Sequence, residues 1–230
     1  MQVIPLQIDG AAVEVELRYN QRSKSMRLRL DRLQKRAILT LPPRTPNFEV
    51  SAFLERSKTW LLKRLDQHPC RVPFINGNCI PIFGQDCIIH YAAAPQSKIE
   101  LEGPRLFMQG PTENLSLALK TWLKHHAHNY LNQRCQDYAK QVGKKINYIR
   151  VREVKSRWGS CSHEANLSFS WRLVFAPLPI VDYVCAHEVA HLVEMNHSRQ
   201  FWAVVESMCP NPKIHIHWLK QNSTRLFSYG

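Results

Sequence analysis

The residues best placed to do chemistry are His187-Glu188-Val189-Ala190-His191, followed by His197. Side chains four positions apart on a helix share one face. The ring nitrogens of His187 and His191 can therefore converge on a single metal ion, at about 2.0–2.1 Å each for zinc. Glu188 stands beside that pair, where a carboxylate acts as general base toward a metal-activated water. A tetrahedral catalytic zinc takes three protein ligands and keeps its fourth position open. His197 supplies the third ligand. The expectation is one Zn2+ per chain and a zinc-dependent hydrolase. The plain alternative is a helix whose histidines merely face solvent or a polar core.

The spacing from His187 to His197 equals that of the longer H-E-x-x-H-x-x-G-x-x-H motif. Glycine lets the chain turn sharply there, but this chain has Glu194 at that place. Asn196 tolerates left-handed backbone and is expected to end the helix instead. Met208 falls within a helical pattern, which makes it a poor match to a Met-turn.

The elements that must carry these residues can be read from periodicity. Val13, Val15 and Leu17 alternate with Glu14 and Glu16. Ser25 to Leu30 alternates again, and Ala37 to Leu41 is a third run stopped by Pro42-Pro43. Period two predicts strands, and the pattern suggests a small antiparallel sheet with one basic, solvated face. Residues 46–67 predict a helix with Phe48, Phe53, Trp60, Leu61 and Leu65 as its apolar stripe and Trp60 in the core. Ile80 to Phe83 and Ile88 to Tyr91 flank Gly84 as a hairpin or barrel edge, and Leu106 to Met108 ends the β-rich region. A long helix spans 112–141, with Thr112 as its cap and Gly143 beyond its end. Ile146 to Val154 and Leu167 to Trp171 predict strands. Pro177 and Pro179 open the helix that bears the H-E-x-x-H residues. Ser198 opens another helix, and Lys213 to Leu219 is helical, with His215 and His217 on the surface. His125, His126 and His128 lack i, i+4 spacing and read as surface or core-edge residues. The fold class is α+β, with a β-rich region with one helix over 1–110 and the metal-bearing region over 111–230.

Composition narrows the setting. Hydrophobic residues make up 44% and charged residues 21%, as in globular proteins with an ordinary core. No apolar run approaches the length of a membrane span, and Met1 to Leu17 lacks the layout of a secretory signal. Seven cysteines without a C-x-x-C pair suggest reduced thiols and a cytoplasmic location. The net charge of +13 invites a polyanion such as a nucleotide or nucleic acid as partner.

Beyond these readings, a set of motifs resembles a known family. They are Lys155-Ser156-Arg157-Trp158-Gly159-Ser160-Cys161, Asp182-Tyr183-Val184, the H-E-x-x-H residues, Met195-Asn196-His197-Ser198 and Phe201-Trp202. Together they look like the YgjP-like metallopeptidases, which are related to the SprT-like zinc proteins. The resemblance implies a zincin-like half after a β-rich half, zinc on His187, His191 and His197, and Glu188 as general base. It also implies that the R-W-G-S-C segment borders the cleft, with Arg157 or Ser160 as substrate contacts or as supports of the site. One departure stands out: Ser170 occupies a position where the family tends to have asparagine.

The leading expectation is therefore a metallopeptidase acting on a peptide or protein, whose extended chain could pair with the strand preceding Arg157. A metal-dependent nucleotide phosphoanhydride hydrolase is the first alternative, although no glycine-rich phosphate loop is present. A DNA-associated protein with a zinc-stabilised fold is the second.

Overall fold

A computed structural model describes residues 2–8, 11–31, 36–66, 71–154 and 157–230. Lys155 and Ser156 of the motif above thus lie outside the described residues. The fold is mixed α+β, and the chain divides into two compact units, Met1–Arg71 and Val72–Gly230.

In the first unit, strands β1 (Gln2–Ile8), β2 (Ala11–Tyr19), β3 (Arg27–Asp31) and β4 (Arg36–Leu41) precede helix α1 (Asn47–Asp66). The sheet order is β1-β2-β4-β3, with β2 and β4 parallel. The expected all-antiparallel sheet is corrected here. Alternation reports which side chains share a face, but not which strands are neighbours. Val15, Leu17, Leu39 and Leu41 cluster with Val50, Leu54 and Leu61 of α1.

The apolar stripe of α1 is rotated from the one expected. Trp60 is 41% exposed and Phe48 72%, so Trp60 is not a core residue. Leu65 carries no described side chain. The second face of the sheet also departs from expectation. Arg27 and Arg29 are exposed, but Glu16, in register with Ile38 and Arg29, is fully buried. Its carboxylate pairs with Arg18 and Arg36, because a buried charge is tolerable only when paired.

The second unit begins with β5 (Cys79–Ile82), β6 (Gln85–Ala93), β7 (Lys98–Glu102) and β8 (Arg105–Gly110), in the order β5-β6-β8-β7. Phe83 and Gly84 join β5 to β6 with φ of 50° and 88°, as a tight primed turn requires. Sequence patterning put a boundary near 110, but the compact units part at 71/72. Ile80, Ile89, Leu106 and Met108 are buried in the same core as the helices that follow, so this sheet belongs to the second unit.

Helix α2 (Leu115–Gln141) follows a single 3-10 turn, Thr112–Asn114, so Asn114 rather than Thr112 occupies the cap position. Gly143, with φ of 67°, ends it, and the amide of Lys144 reaches back to the carbonyl of Ala139 at 2.8 Å. Strands β9 (Tyr148–Arg152), β10 (Gly159–Cys161) and β11 (Asn166–Ser170) form a sheet ordered β10-β11-β9. Trp171 starts a 3-10 turn instead of ending β11. Helices α3 (Leu178–Ala190), α4 (Arg199–Met208) and α5 (Pro212–Leu226) complete the unit. Asp182 ties α3 to α2, accepting from Tyr130 Oη at 2.7 Å and Arg134 Nη2 at 3.0 Å. His126 stacks on Trp122, and His215 is half-buried against Tyr183, while His217 is exposed.

A polar hub anchors the chain just after β9. Glu153 accepts from Trp171 Nε1 at 2.9 Å and Arg172 Nε at 3.2 Å, and pairs with Lys120 Nζ at 2.7 Å. Arg172, itself buried, also donates to the carbonyl of Tyr229 at 2.6 Å and so clamps the C-terminal residues. Partial burial raises the pKa of Glu153, but Lys120, Trp171 and Arg172 together outweigh it and hold the carboxyl at about 2. A folded-state pKa below the unfolded value contributes stability above the ordinary carboxylate range, and that stability is lost as pH falls through the folded value. Urea unfolding between pH 4.5 and pH 2 should therefore show wild type losing more stability than Glu153→Gln. The difference should be on the order of 1 kcal/mol, discounted for screening of a partly exposed group. Parallel pH profiles for the two proteins would contradict the hub.

Candidate metal centre

Helix α3 is apolar on almost every side. Ile180, Val181, Val184, Cys185, Ala186, Val189 and Ala190 are all buried, while Asp182 and His187 are only partly covered. Glu188 is 5% exposed, and His191 occupies the cap position. The helix ends at Ala190, earlier than expected. The amides of Val193 and Glu194 both return to the carbonyl of Ala190 at 3.0 Å. Asn196 is not left-handed, which corrects its expected role. Instead Glu194 Oε1 accepts from Asn196 Nδ2 at 2.7 Å and braces the turn. Ser198 then caps α4, its hydroxyl accepting from the amide of Phe201 at 3.2 Å.

This turn brings His197 back over the helix. Ligand-capable atoms of His187, His191 and His197 all lie within 4.8 Å of one another. Nε2 of His187 and Nε2 of His197 are 3.2 Å apart. Two nitrogens bound to one tetrahedral zinc stand roughly 3.3 Å apart, so the spacing suits a shared ion. The opposite ring nitrogens have partners of their own. His191 Nδ1 faces the carbonyl of Glu194 at 3.2 Å, and His187 Nδ1 faces Tyr183 Oη at 3.4 Å. Such contacts at Nδ1 orient the ring and leave the Nε2 lone pair available. Burial, then the neighbouring histidines, pushes the pKa of His187 down to about 4, and burial lowers that of His191. In both rings burial thus favours the neutral form that a metal requires.

Phe201 forms the floor of the cluster. It is fully buried, and its ring centroid lies 5.0, 4.6 and 4.7 Å from those of His187, His191 and His197. The sequence showed Phe201 as part of a family motif and as an apolar residue of α4, but not its contact with the histidines.

Glu188 meets β10 from below. A Cβ built on Gly159 would fall 2.5 Å from Glu188 Oε1 and 2.6 Å from its Cγ. The glycine is therefore required by proximity. Burial raises the pKa of Glu188 to about 8, against the opposing charge of Arg157. A cation on the three imidazoles would add a second positive charge and favour the ionised carboxylate. Cys161, on the same face as Gly159, is also pushed up to about 11, by burial first and Glu188 second.

Arg157 and Ser160 line a groove of about 410 Å³ with Tyr148, Arg152, Asn166 and Ser168. Ser160 lies between Gly159 and Cys161 on β10, and so on the face opposite to Glu188. The strand nearest Glu188 is thus β10, an edge strand, and not the strand preceding Arg157, which is β9 at the far edge. Trp158 packs on Phe227 at 5.3 Å, which anchors this approach. Ser170 is fully buried, and its hydroxyl has no hydrogen-bond partner among the described residues. Its amide donates to the carbonyl of Trp158 at 2.9 Å.

A helix-borne histidine pair, a third histidine returned by a turn and a buried carboxylate under an edge strand make up the candidate centre of a metal-dependent hydrolase. The model of the YgjP-like metallopeptidase domain matches residues 24–222, and the chain belongs to the YgjP-like family. It is accordingly a metallopeptidase. Among solved structures, it is similar to the metallopeptidase zymogen of Pyrococcus abyssi abylysin, at 19% identity and a TM-score of 0.37. That match covers 40% of this chain and 95% of the other. No curated protein matches the chain. No helix among the described residues is long and apolar enough to cross a membrane.

The Gly159–Glu188 approach generates a prediction that needs no substrate. Gly159→Ala should destabilise wild type by about 1–3 kcal/mol through overpacking. It should cost clearly less in a Glu188→Ala background, where the side chain it strikes has gone. Denaturant unfolding of the four proteins measures that coupling. Additive effects would show that the two residues do not press on one another.

Proposed function

We propose that this chain is a zinc metallopeptidase in which His187, His191 and His197 hold the ion and Glu188 is the general base. What supports this reading most is the convergence of three imidazoles beside one buried carboxylate. The burial that lowers the pKa of His187 and His191 and the supports at their Nδ1 atoms point the same way. Bound zinc supplies Lewis acidity and lowers the pKa of water to about 7.

The rest falls to the protein. Glu188 Oε accepts a proton from the attacking water and later delivers it to the leaving amine. The slot at Gly159 keeps that carboxylate close to β10. An extended peptide lying beside β10 would have its backbone aligned by the strand's free edge and its scissile bond near Glu188. Arg157, whose charge acts on Glu188, and Ser160 flank that path as candidate substrate contacts. The free thiols of the six described cysteines suit a reducing, cytoplasmic setting. The net charge of +13 is the one observation favouring the phosphoanhydride alternative, so nucleoside triphosphates belong in the same assay.

Elemental analysis of the purified chain should find one zinc per chain, reduced to background in His187→Ala and His191→Ala. Glu188→Gln should retain the metal and lose peptide turnover by about 100- to 10,000-fold. Full activity in that variant would remove Glu188 as the base, and nucleotide turnover without peptide turnover would favour the rival substrate.

A further inference from the structure

A second hollow, of about 200 Å³, is lined in part by His191, which does not line the Arg157 groove. Ser162 lines both, so the β10–β11 turn divides them. The far wall of this hollow is Lys144 and Lys145, placed there by the chain reversal at Gly143. The near wall is Leu192, Val193 and Met195, from the turn between His191 and His197. Val193 is 44% exposed and Met195 40%, so apolar surface is open to solvent beside the histidine cluster. No carboxylate lines the hollow, and the one acidic residue of the β10–β11 turn, Glu164, lines the other groove and bonds to Ser162 Oγ at 2.6 Å.

We propose that this hollow is a side-chain subsite that selects an acidic residue, glutamate over aspartate, in the peptide being cut. The inference rests on the peptidase reading and names its substrate class. A cavity of roughly 150 Å³ accommodates a benzene-sized group, so the hollow has room for one substrate side chain. The apolar wall covers the two methylenes of glutamate, and the lysines meet its carboxylate. Aspartate is one methylene shorter and covers less of that wall. Because His191 is part of the lining, the selected residue sits close to the scissile bond.

The test uses the zinc-loaded full chain and a peptide library randomised at each position around the cut, read by mass spectrometry. Glutamate should be enriched about 3- to 10-fold over glutamine and lysine at one position, as expected for two solvent-exposed charges. The enrichment should shrink at high salt. The double variant Lys144→Glu/Lys145→Glu should reverse the preference toward lysine and arginine, while Lys144→Gln/Lys145→Gln should flatten it. Equilibrium binding of fluorescent glutamate- and lysine-bearing peptides to Glu188→Gln should follow the same order. Cleavage without charge preference, or a preference untouched by charge reversal, would overturn the subsite and leave the peptidase reading standing. Failure of the metal-loaded chain to cut any peptide would overturn both.

Discussion

The carboxylate proposed as general base is held where burial favours its neutral form. Glu188 is almost fully enclosed by α3 and β10, and it fits only because residue 159 has no side chain. That contact links the two halves of the site. The helix brings the histidines, the edge strand brings the proposed path for an extended chain, and the carboxylate is squeezed between them. Everything that fixes β10 therefore acts on Glu188 at one remove. Ahead of that strand, Glu153 is held by Lys120, Trp171 and Arg172, and Trp158 packs on Phe227.

The histidines are placed by a different balance. Ligand-capable atoms of the three rings stand within 4.8 Å of one another, with His187 Nε2 and His197 Nε2 3.2 Å apart. Phe201 holds them together from below, and Ser198 fixes Phe201 by capping α4. The turn from His191 to His197 needs no glycine because the helix has already ended at Ala190. Glu194 then contributes its carbonyl to His191 and its carboxylate to Asn196. One residue thus orients a ring and braces the loop that returns the third histidine.

How far the sequence disclosed this depends on the range of the contacts. His187, Glu188 and His191 were legible because helical spacing alone puts them together, and Ser198 because a cap is a local device. Gly159, Tyr183 and Phe201 were not, since their importance lies in what they touch. Tyr183 was in view as part of a motif, four residues before His187, but nothing in its type announced a partner for Nδ1. Trp60 misled for a related reason: size suggested burial, while the packed stripe of α1 runs through Val50, Leu54 and Leu61. The order of strands in the first sheet was similarly closed to pattern reading, because alternation is unchanged when neighbours are exchanged. Ser170 is the reverse case. The resemblance marked it as a departure, and it proves to be a buried hydroxyl without a partner among the described residues.

The central claim is that three imidazoles share one ion on this framework. X-ray absorption spectroscopy of the zinc-loaded chain tests it most directly. The account predicts a four-coordinate shell of three imidazole nitrogens at about 2.0–2.1 Å and one further light atom, with no sulfur. A sulfur scatterer near 2.3 Å, or a shell with fewer than three imidazoles, would contradict it.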